Sequence, residues 1–347
     1  MIKVLIVDDS AFMRNTLSSM ISSDSEIQVI GFARDGIEAV EKVNLLKPDI
    51  VTLDIEMPRM DGIEALKKIM EKNPVPVLMV SSLTTEGARV TLDALDIGAV
   101  DFIPKNLSDL SINITKIKDI LIDKIKKIGK KGLVKGLRRP SPAKPLKMPE
   151  QPTYTPHRRV SIIAIGSSTG GPKALQNIIT LIPKDFPVPI VIAQHMPPAF
   201  TGPFAERLNQ LSAIEVKEAE HGEPISKGVA YIAPGRGHMS VCRKKLTETV
   251  ISVSEDRGEY IYRPSVDVLM LSVVENFSGH VLGVILTGLG NDGSKGMKEI
   301  KNKGGRTIAE SEKTCIVYGM PRAVVEAGLA DKIVPLDEIA GEIINSV

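Results

Sequence analysis

The sequence predicts two doubly wound α/β domains, each on a mainly parallel sheet. Three observations carry this expectation. Short apolar, β-branched runs alternate with amphipathic segments in both halves, the pattern of strand–crossover–strand units covered on both faces. The 347-residue length suits two domains. Residues 125–159, with six prolines and three glycines, break every apolar periodicity and read as a linker between residues 1–124 and 160–347.

In the first block the strands are VLIV (4–7), IQVIGFA (27–33), DIVTLD (49–54), VPVLMVSS (75–82) and VDFI (100–103). Between them lie the amphipathic segments RNTLSSMI, GIEAVEKVNLLK, GIEALKKIM and GARVTLDALDIG. A further helical pattern runs from Ile112 through Ile128. In the second block SIIAIG (161–166), PIVIAQ (189–194) and HVLGVILTG (280–288) are continuous apolar runs suited to buried strands. AYIAP (230–234) and the alternating KLTETVISVSE (245–255) suggest an additional antiparallel pair.

The net charge of +2 hides an uneven distribution: −6 over residues 1–124, +10 over 125–159 and −2 over 160–347. A nucleic-acid-binding domain would carry its basic face on the fold itself. Aromatics are 3% and Trp is absent, which disfavours base-stacking modules. No helix-turn-helix pattern is present, so nucleic acid is not expected as a partner. Met1 is followed at once by IKVLIVDDS, without signal-peptide regions, and no apolar run reaches the roughly 18 residues of a membrane span. Cys242 and Cys315 fit no metal or redox spacing. A cytoplasmic protein without membrane insertion is the expectation.

Ligands of open parallel sheets bind beyond the carboxyl ends of the strands. Asp8 and Asp9 follow the first strand, Asp54 ends the third, Ser81 ends the fourth and Lys105 follows the fifth. Three converging carboxylates need a cation, and hard oxygen ligands at an open site suit Mg²⁺. Asp54 then serves as a phosphoryl acceptor, with Ser81 and Lys105 contacting the phosphoryl oxygens. The plainer alternative is that Asp8 and Asp9 cap the first helix.

In the second block IAIGSSTGGPKAL reads strand, tight turn, helix. Gly166 to Gly170 satisfies G-x-S-x-G, which presents the Ser168 hydroxyl at a helix N-terminus. Backbone N–H groups there favour a developing oxyanion. A phosphate or nucleotide loop is the alternative on local pattern. His195 and Asp292 also follow strands, so serine, imidazole and carboxylate share one rim. A structural histidine is the alternative for His195. His157 falls in the linker, His221 and His238 in polar turns, and His280 ahead of a strand.

VDDS, TLDIEMPRMDG and DFIPK together resemble a response-regulator receiver domain. The resemblance implies a flavodoxin-like fold, Mg²⁺ held by Asp8, Asp9 and Asp54, phosphorylation of Asp54 by a chemotaxis histidine kinase, and a switch involving Ser81 and Phe102. One departure is that Pro104 precedes Lys105 and Asn106 follows it, where the family commonly has Lys-Pro.

IGSSTGGP, AQHMPPAFT, AYIAPG, RPSVDVL, LTGLGNDG and YGMPRA resemble, in order, the catalytic domain of the CheB family of protein-glutamate methylesterases/glutaminases. The resemblance implies a Rossmann-like domain that removes methyl esters from glutamyl residues of chemoreceptor cytoplasmic domains and deamidates receptor glutamines. Ser168 is then the nucleophile, His195 the general base and acid, and Asp292 the group orienting His195. Thr169 matches a supporting hydroxyl, and Met320 lies in a segment matching the substrate-cleft region. Leu289 stands where relatives usually have Met. No cofactor is expected in this domain. A second domain that binds a nucleotide or phosphorylated metabolite, or one that only docks receptors, are the competing outputs.

Overall fold

The computed structural model describes residues 1–105, 114–131, 160–245, 248–256, 258, 260 and 262–347. The first domain runs β1 (Ile2–Val7), α1 (Ala11–Ile21), β2 (Ile27–Ala33), α2 (Gly36–Leu46), β3 (Ile50–Asp54), α3 (Gly62–Lys72), β4 (Val77–Ser81), α4 (Thr85–Ile97), β5 (Asp101–Pro104) and α5 (Ile114–Lys131). Its five strands lie in the order β2-β1-β3-β4-β5, every pairing parallel. Short polar residues set the helix starts: Ser10 accepts Met13 N–H, Asp35 accepts Ile37 and Glu38 N–H, Asp61 accepts Glu64 N–H and Thr84 accepts Gly87 N–H.

The second domain runs β6 (Ile162–Ser167), α6 (Gly171–Ile179), β7 (Ile190–Gln194), α7 (Pro198–Leu211), β8 (Glu215–Glu218), β9 (Val229–Ile232), β10 (His238–Lys245), β11 (Glu248–Ser254), α8 (Val266–Phe277), β12 (Val281–Ile285), α9 (Ser294–Asn302), β13 (Arg306–Glu310), α10 (Met320–Glu326), β14 (Lys332–Val334) and α11 (Leu336–Ile344). Seven parallel strands lie in the order β14-β13-β12-β6-β7-β9-β8.

Two expectations are corrected. The antiparallel pair exists, but it joins β10 to β11; β9, which contains AYI, pairs in parallel with β7 and β8. Physically, β9 is buried on both faces, as its unbroken apolar run demands, whereas β10 alternates buried Met239 and Val241 with more exposed Ser240 and Cys242. The linker also begins later than residue 125. The α5 helix continues to Lys131, because Ile125 and Ile128 are buried and Lys126 and Lys130 pair with Asp24 and Glu26. The remainder of the expected linker, with His157, lies outside the described residues, as does Asn106.

The two domains touch along α4 and α7. Arg207 of α7 donates to Asp93 (2.6 Å) and, through Nε, to Asp96 (3.1 Å). Lys173 approaches Asp96 at 3.4 Å, and Arg89 meets Glu206 at 3.1 Å. Phe102 of β5 stacks on Phe200 of α7, with centroids 4.3 Å apart and planes 13° apart. At the end of α5, Lys131 donates to the carbonyls of Glu312 (2.7 Å) and Cys315.

Candidate active site

Both sheets carry their chemistry where the chain reverses its winding direction. In the first sheet that point lies between β1 and β3. Asp8 follows β1 and Asp54 ends β3, so the two are neighbours. Lys105 Nζ donates to Asp54 Oδ2 at 2.7 Å and lies 3.8 Å from Asp8 Oδ2. Ile55 N–H donates to Asp54 Oδ1 at 2.8 Å. Burial pushes the Asp54 carboxyl up to about 6, against the pull of Lys105, and also raises that of Asp8. Ser10, not Asp8 or Asp9, caps α1; Asp8 accepts only the Ser10 N–H through Oδ1, and its buried Oδ2 has no hydrogen-bond partner.

Asp8, Asp9 and Asp54 each offer a carboxylate oxygen, all within 4.8 Å of one another. An all-carboxylate set with a buried orphan oxygen fits a hard divalent cation. Beside Asp54 is a cavity of about 260 Å³, lined among others by Ser82, Thr84, Gly87 and Lys105. Ser81 ends β4 as expected, but its hydroxyl is turned to α4, accepting from Thr91 at 2.6 Å.

In the second sheet the reversal lies between β6 and β12, and the candidate triad comes from three adjacent strands. Ser168 follows β6, His195 follows β7 and Asp292 lies in the loop after β12. The elbow is tight: β6 ends at Ser167, Gly170 has φ +76°, and α6 begins at Gly171. Gln194 straps the turn. Its side chain accepts from Ser167 Oγ (2.6 Å) and donates to Ser168 O (2.9 Å) and His195 O (3.1 Å). Thr287 braces it from the other side: its carbonyl accepts Ser168 N–H (3.0 Å), and its hydroxyl donates to Thr169 O (2.9 Å). A Cβ on Gly288 would fall 2.8 Å from Ser168 Cβ and 2.3 Å from Met320 Sδ, so only glycine lets that loop pass Ser168.

His195 Nε2 pairs with Asp292 Oδ2 at 2.8 Å, and both side chains are largely buried, 7% and 10% exposed. The carboxylate selects the Nε2–H tautomer and leaves Nδ1, which is buried without a partner, as the acceptor. Asp292 sits at the N-terminus of α8. Oδ2 accepts Val266 N–H (2.8 Å), while Oδ1 accepts Asp267 N–H (3.0 Å) and Ser265 Oγ–H (3.0 Å). Burial opposes its charge, but the His195 contact and the helix amides outweigh it and hold the carboxyl below its ordinary value. Thr169 Oγ1 is buried with no partner. Leu289 is buried in a cluster that also contains Leu121 and Ile125 of α5, and Met320 is wholly buried behind Gly288.

Four supporting residues escape the sequence. Gln194 could have been noticed as a polar end to an apolar strand. Ser265 fits a helix N-cap before VDVL. His238, set aside as a turn residue, is buried and accepts Ser265 N–H through Nδ1 at 3.1 Å. Tyr262 stacks on His195, and nothing in the sequence signals that contact. His221 instead accepts Val253 N–H, away from Asp292 in the hydrogen-bond network.

A family model described as CheB methylesterase matches residues 163–343. The chain belongs to the CheB methylesterase family. A second model, the response regulator receiver domain, matches residues 4–114. A protein-glutamate methylesterase/protein-glutamine glutaminase of Nitratidesulfovibrio vulgaris is 50% identical, with all of both chains covered. One of Pyrococcus horikoshii is 47% identical, covering 100% of this chain and 94% of that one. The catalytic domain of the Thermotoga maritima CheB methylesterase has a similar structure, with TM-score 0.53 and 42% identity, covering 55% of this chain and all of that domain. No helix among the described residues is long and apolar enough to cross a membrane.

Proposed function

We propose that this CheB-family protein is a receiver-regulated hydrolase that demethylates glutamyl methyl esters, and deamidates glutamines, on the cytoplasmic domains of chemoreceptors. It works in the cytoplasm, where those domains lie. Ser168 Oγ attacks the ester carbonyl carbon, and its proton passes to His195 Nδ1. Asp292 holds the other ring nitrogen and balances the imidazolium. The tetrahedral oxyanion faces backbone amides of the elbow and of the loop at Leu289. Collapse breaks the C–O bond, and His195 returns the proton to the departing methoxide, giving methanol and an acyl-serine. His195 then takes a proton from water, whose oxygen attacks the acyl carbon; collapse breaks the acyl C–Oγ bond, and His195 returns the proton to Ser168 Oγ, releasing glutamate and free Ser168. With an amide, ammonia leaves instead. Every proton transfer is assigned to a side chain of this domain.

The observation that carries this reading is the buried His195 ring with Asp292 on Nε2 and an unpartnered Nδ1, one strand away from Ser168. Ser168→Ala should lower methanol release from methylated receptor on the order of 10⁴-fold or more. A variant with near-parental activity would remove Ser168 from the role.

The contact between the domains favours a second element, control by the receiver. Asp54 accepts a phosphoryl group from a chemotaxis histidine kinase. Mg²⁺ on Asp8, Asp9 and Asp54 would neutralise the phosphoryl oxygens. Lys105 donates to Asp54 and offsets its charge. Ser81 turns from Thr91 towards the phosphoryl group. Phe102, one residue from Asp101 on β5, carries the change to Phe200 of the hydrolase domain. In the unphosphorylated state α5 flanks the site, with Asp123 close enough to raise the Tyr262 phenol further beyond the effect of burial.

A further inference from the structure

His195 is restrained by two contacts of different kinds. The Asp292 hydrogen bond fixes the position of Nε2 but leaves the ring free to tilt about its Cβ–Cγ bond. A face-to-face contact restrains that tilt, and Tyr262 makes one: the ring centroids are 4.3 Å apart and the planes 10° apart. Tyr262 is itself held in place. A Cβ on Gly290, in the loop that carries Asp292, would lie 3.3 Å from the Tyr262 hydroxyl. Arg263, Pro264 and the helix-capping Ser265 follow it. One aromatic ring thus fills the space between the loop carrying the acid and the face of the base.

We infer that Tyr262 is a positioning residue for the hydrolysis: its ring holds the plane of His195 so that Nδ1 addresses Ser168, and steadies the imidazolium that forms on attack. The inference rests on His195 being the general base. An aromatic face is the negative end of the ring quadrupole and attracts a cation placed over it. The imidazole is neutral before attack and charged in the transition state. The stack therefore strengthens between the two and acts on kcat rather than on KM. A residue that merely filled space would change stability or KM without this bias.

The test measures kcat and KM for methanol release from a methylated receptor cytoplasmic fragment, using the full chain. The variants are Tyr262→Phe, Tyr262→Leu, Tyr262→Met and His195→Gln. Tyr262→Phe keeps the face and should stay within about threefold of the parent. Tyr262→Leu fills similar space without a π face and should lower kcat roughly 10–100-fold, with KM within about threefold. Tyr262→Met gives a second ringless side chain should the leucine variant fold poorly. The inference is overturned if both ringless variants keep parental kcat while His195→Gln is inactive. It is equally overturned if Tyr262→Phe loses as much as Tyr262→Leu, or if only KM changes. Full activity in His195→Gln would instead remove the base assignment, and this inference with it.

Discussion

Asp54 and Asp292 are two buried carboxylates at equivalent places in two parallel sheets, each beside the strand pair where the winding reverses. Burial raises the first to about 6 and fails to raise the second, which lies below its ordinary value. The difference lies in the donors. Asp54 has one backbone N–H and one ammonium, with Asp8 repelling it nearby. Asp292 has two amides from the first turn of α8, the Ser265 hydroxyl and the His195 ring. Identical side chains at identical topological positions thus end in opposite states. One is buried with few donors and raised. The other is an anion satisfied by amides, a hydroxyl and the His195 ring, and is lowered.

The same substitution at both places separates the two roles. Asp292→Asn keeps shape but removes the charge, and an amide can also donate, which no longer selects the Nε2–H tautomer of His195. The loss in kcat should be about 10³–10⁴-fold, read as methanol release. A loss below about tenfold would mean that the helix amides and Ser265, not the carboxylate charge, orient the ring.

At Asp54 the corresponding change should stabilise the fold. A carboxyl whose folded pKa lies above its unfolded value binds protons more tightly in the native state. Its ionisation therefore costs stability as pH rises from about 4 to about 6, and the cost is constant above that. A shift from 3.8 to about 6 sets a ceiling of about 3 kcal/mol. Because Asp54→Asn also strips Lys105 of its partner, the expected gain at pH 8 is about 1–2 kcal/mol, shrinking towards zero at pH 4. Thermal unfolding across that range checks it. A variant less stable than the parent at pH 8 would mean that the Lys105 contact outweighs burial. Added Mg²⁺ should raise the parent and narrow the gap, since a ligand that binds only the native state stabilises it.

How much of this was legible follows from the kind of signal each residue leaves. Strand ends are legible because an unbroken β-branched run must stop where polar chemistry begins; Asp54 and His195 are read that way, and Asp54 does end β3 and His195 does follow β7. Asp8 and the capping Ser10 are two residues apart, so the sequence alone could not say which of them caps α1; the Ser10–Met13 bond assigns the cap to Ser10. The pairing of β10 with β11 was half visible, because the alternation in 245–255 marks a half-exposed strand but does not name its partner. The contacts of Tyr262 and of His238, read only as a turn residue, left no trace, since stacking and second-layer hydrogen bonds depend on loops that meet only after the sheet is assembled. The end of α5 was obscured by lysines that pair locally with Asp24 and Glu26 rather than forming a free tether.

The smallest effect expected is where the two domains meet. Arg207 binds Asp93 and Asp96, and at 27% exposure its side chain is only partly screened. Exposed ion pairs contribute about 0.2–1 kcal/mol each, less at high salt. Removing the pair from α4 should therefore shift the balance towards an uncovered hydrolase by about 1 kcal/mol in all. Arg207→Ala is then expected to raise the unphosphorylated rate about threefold to fivefold and to leave the rate with a small phosphodonor nearly unchanged. Raised salt should reproduce most of the gain in the parent and add little to the variant. The Phe102–Phe200 stack is insensitive to salt, so a parent that stays fully inhibited at high salt would assign the closure to that apolar contact instead. Equal rates in parent and variant under every condition would show that the α4–α7 contact does not restrain the enzyme. The Asp54 site and the Ser168 site would then be coupled, if at all, through α5, whose Asp123 already lies close to Tyr262 and whose Lys131 grips the loop ahead of α10.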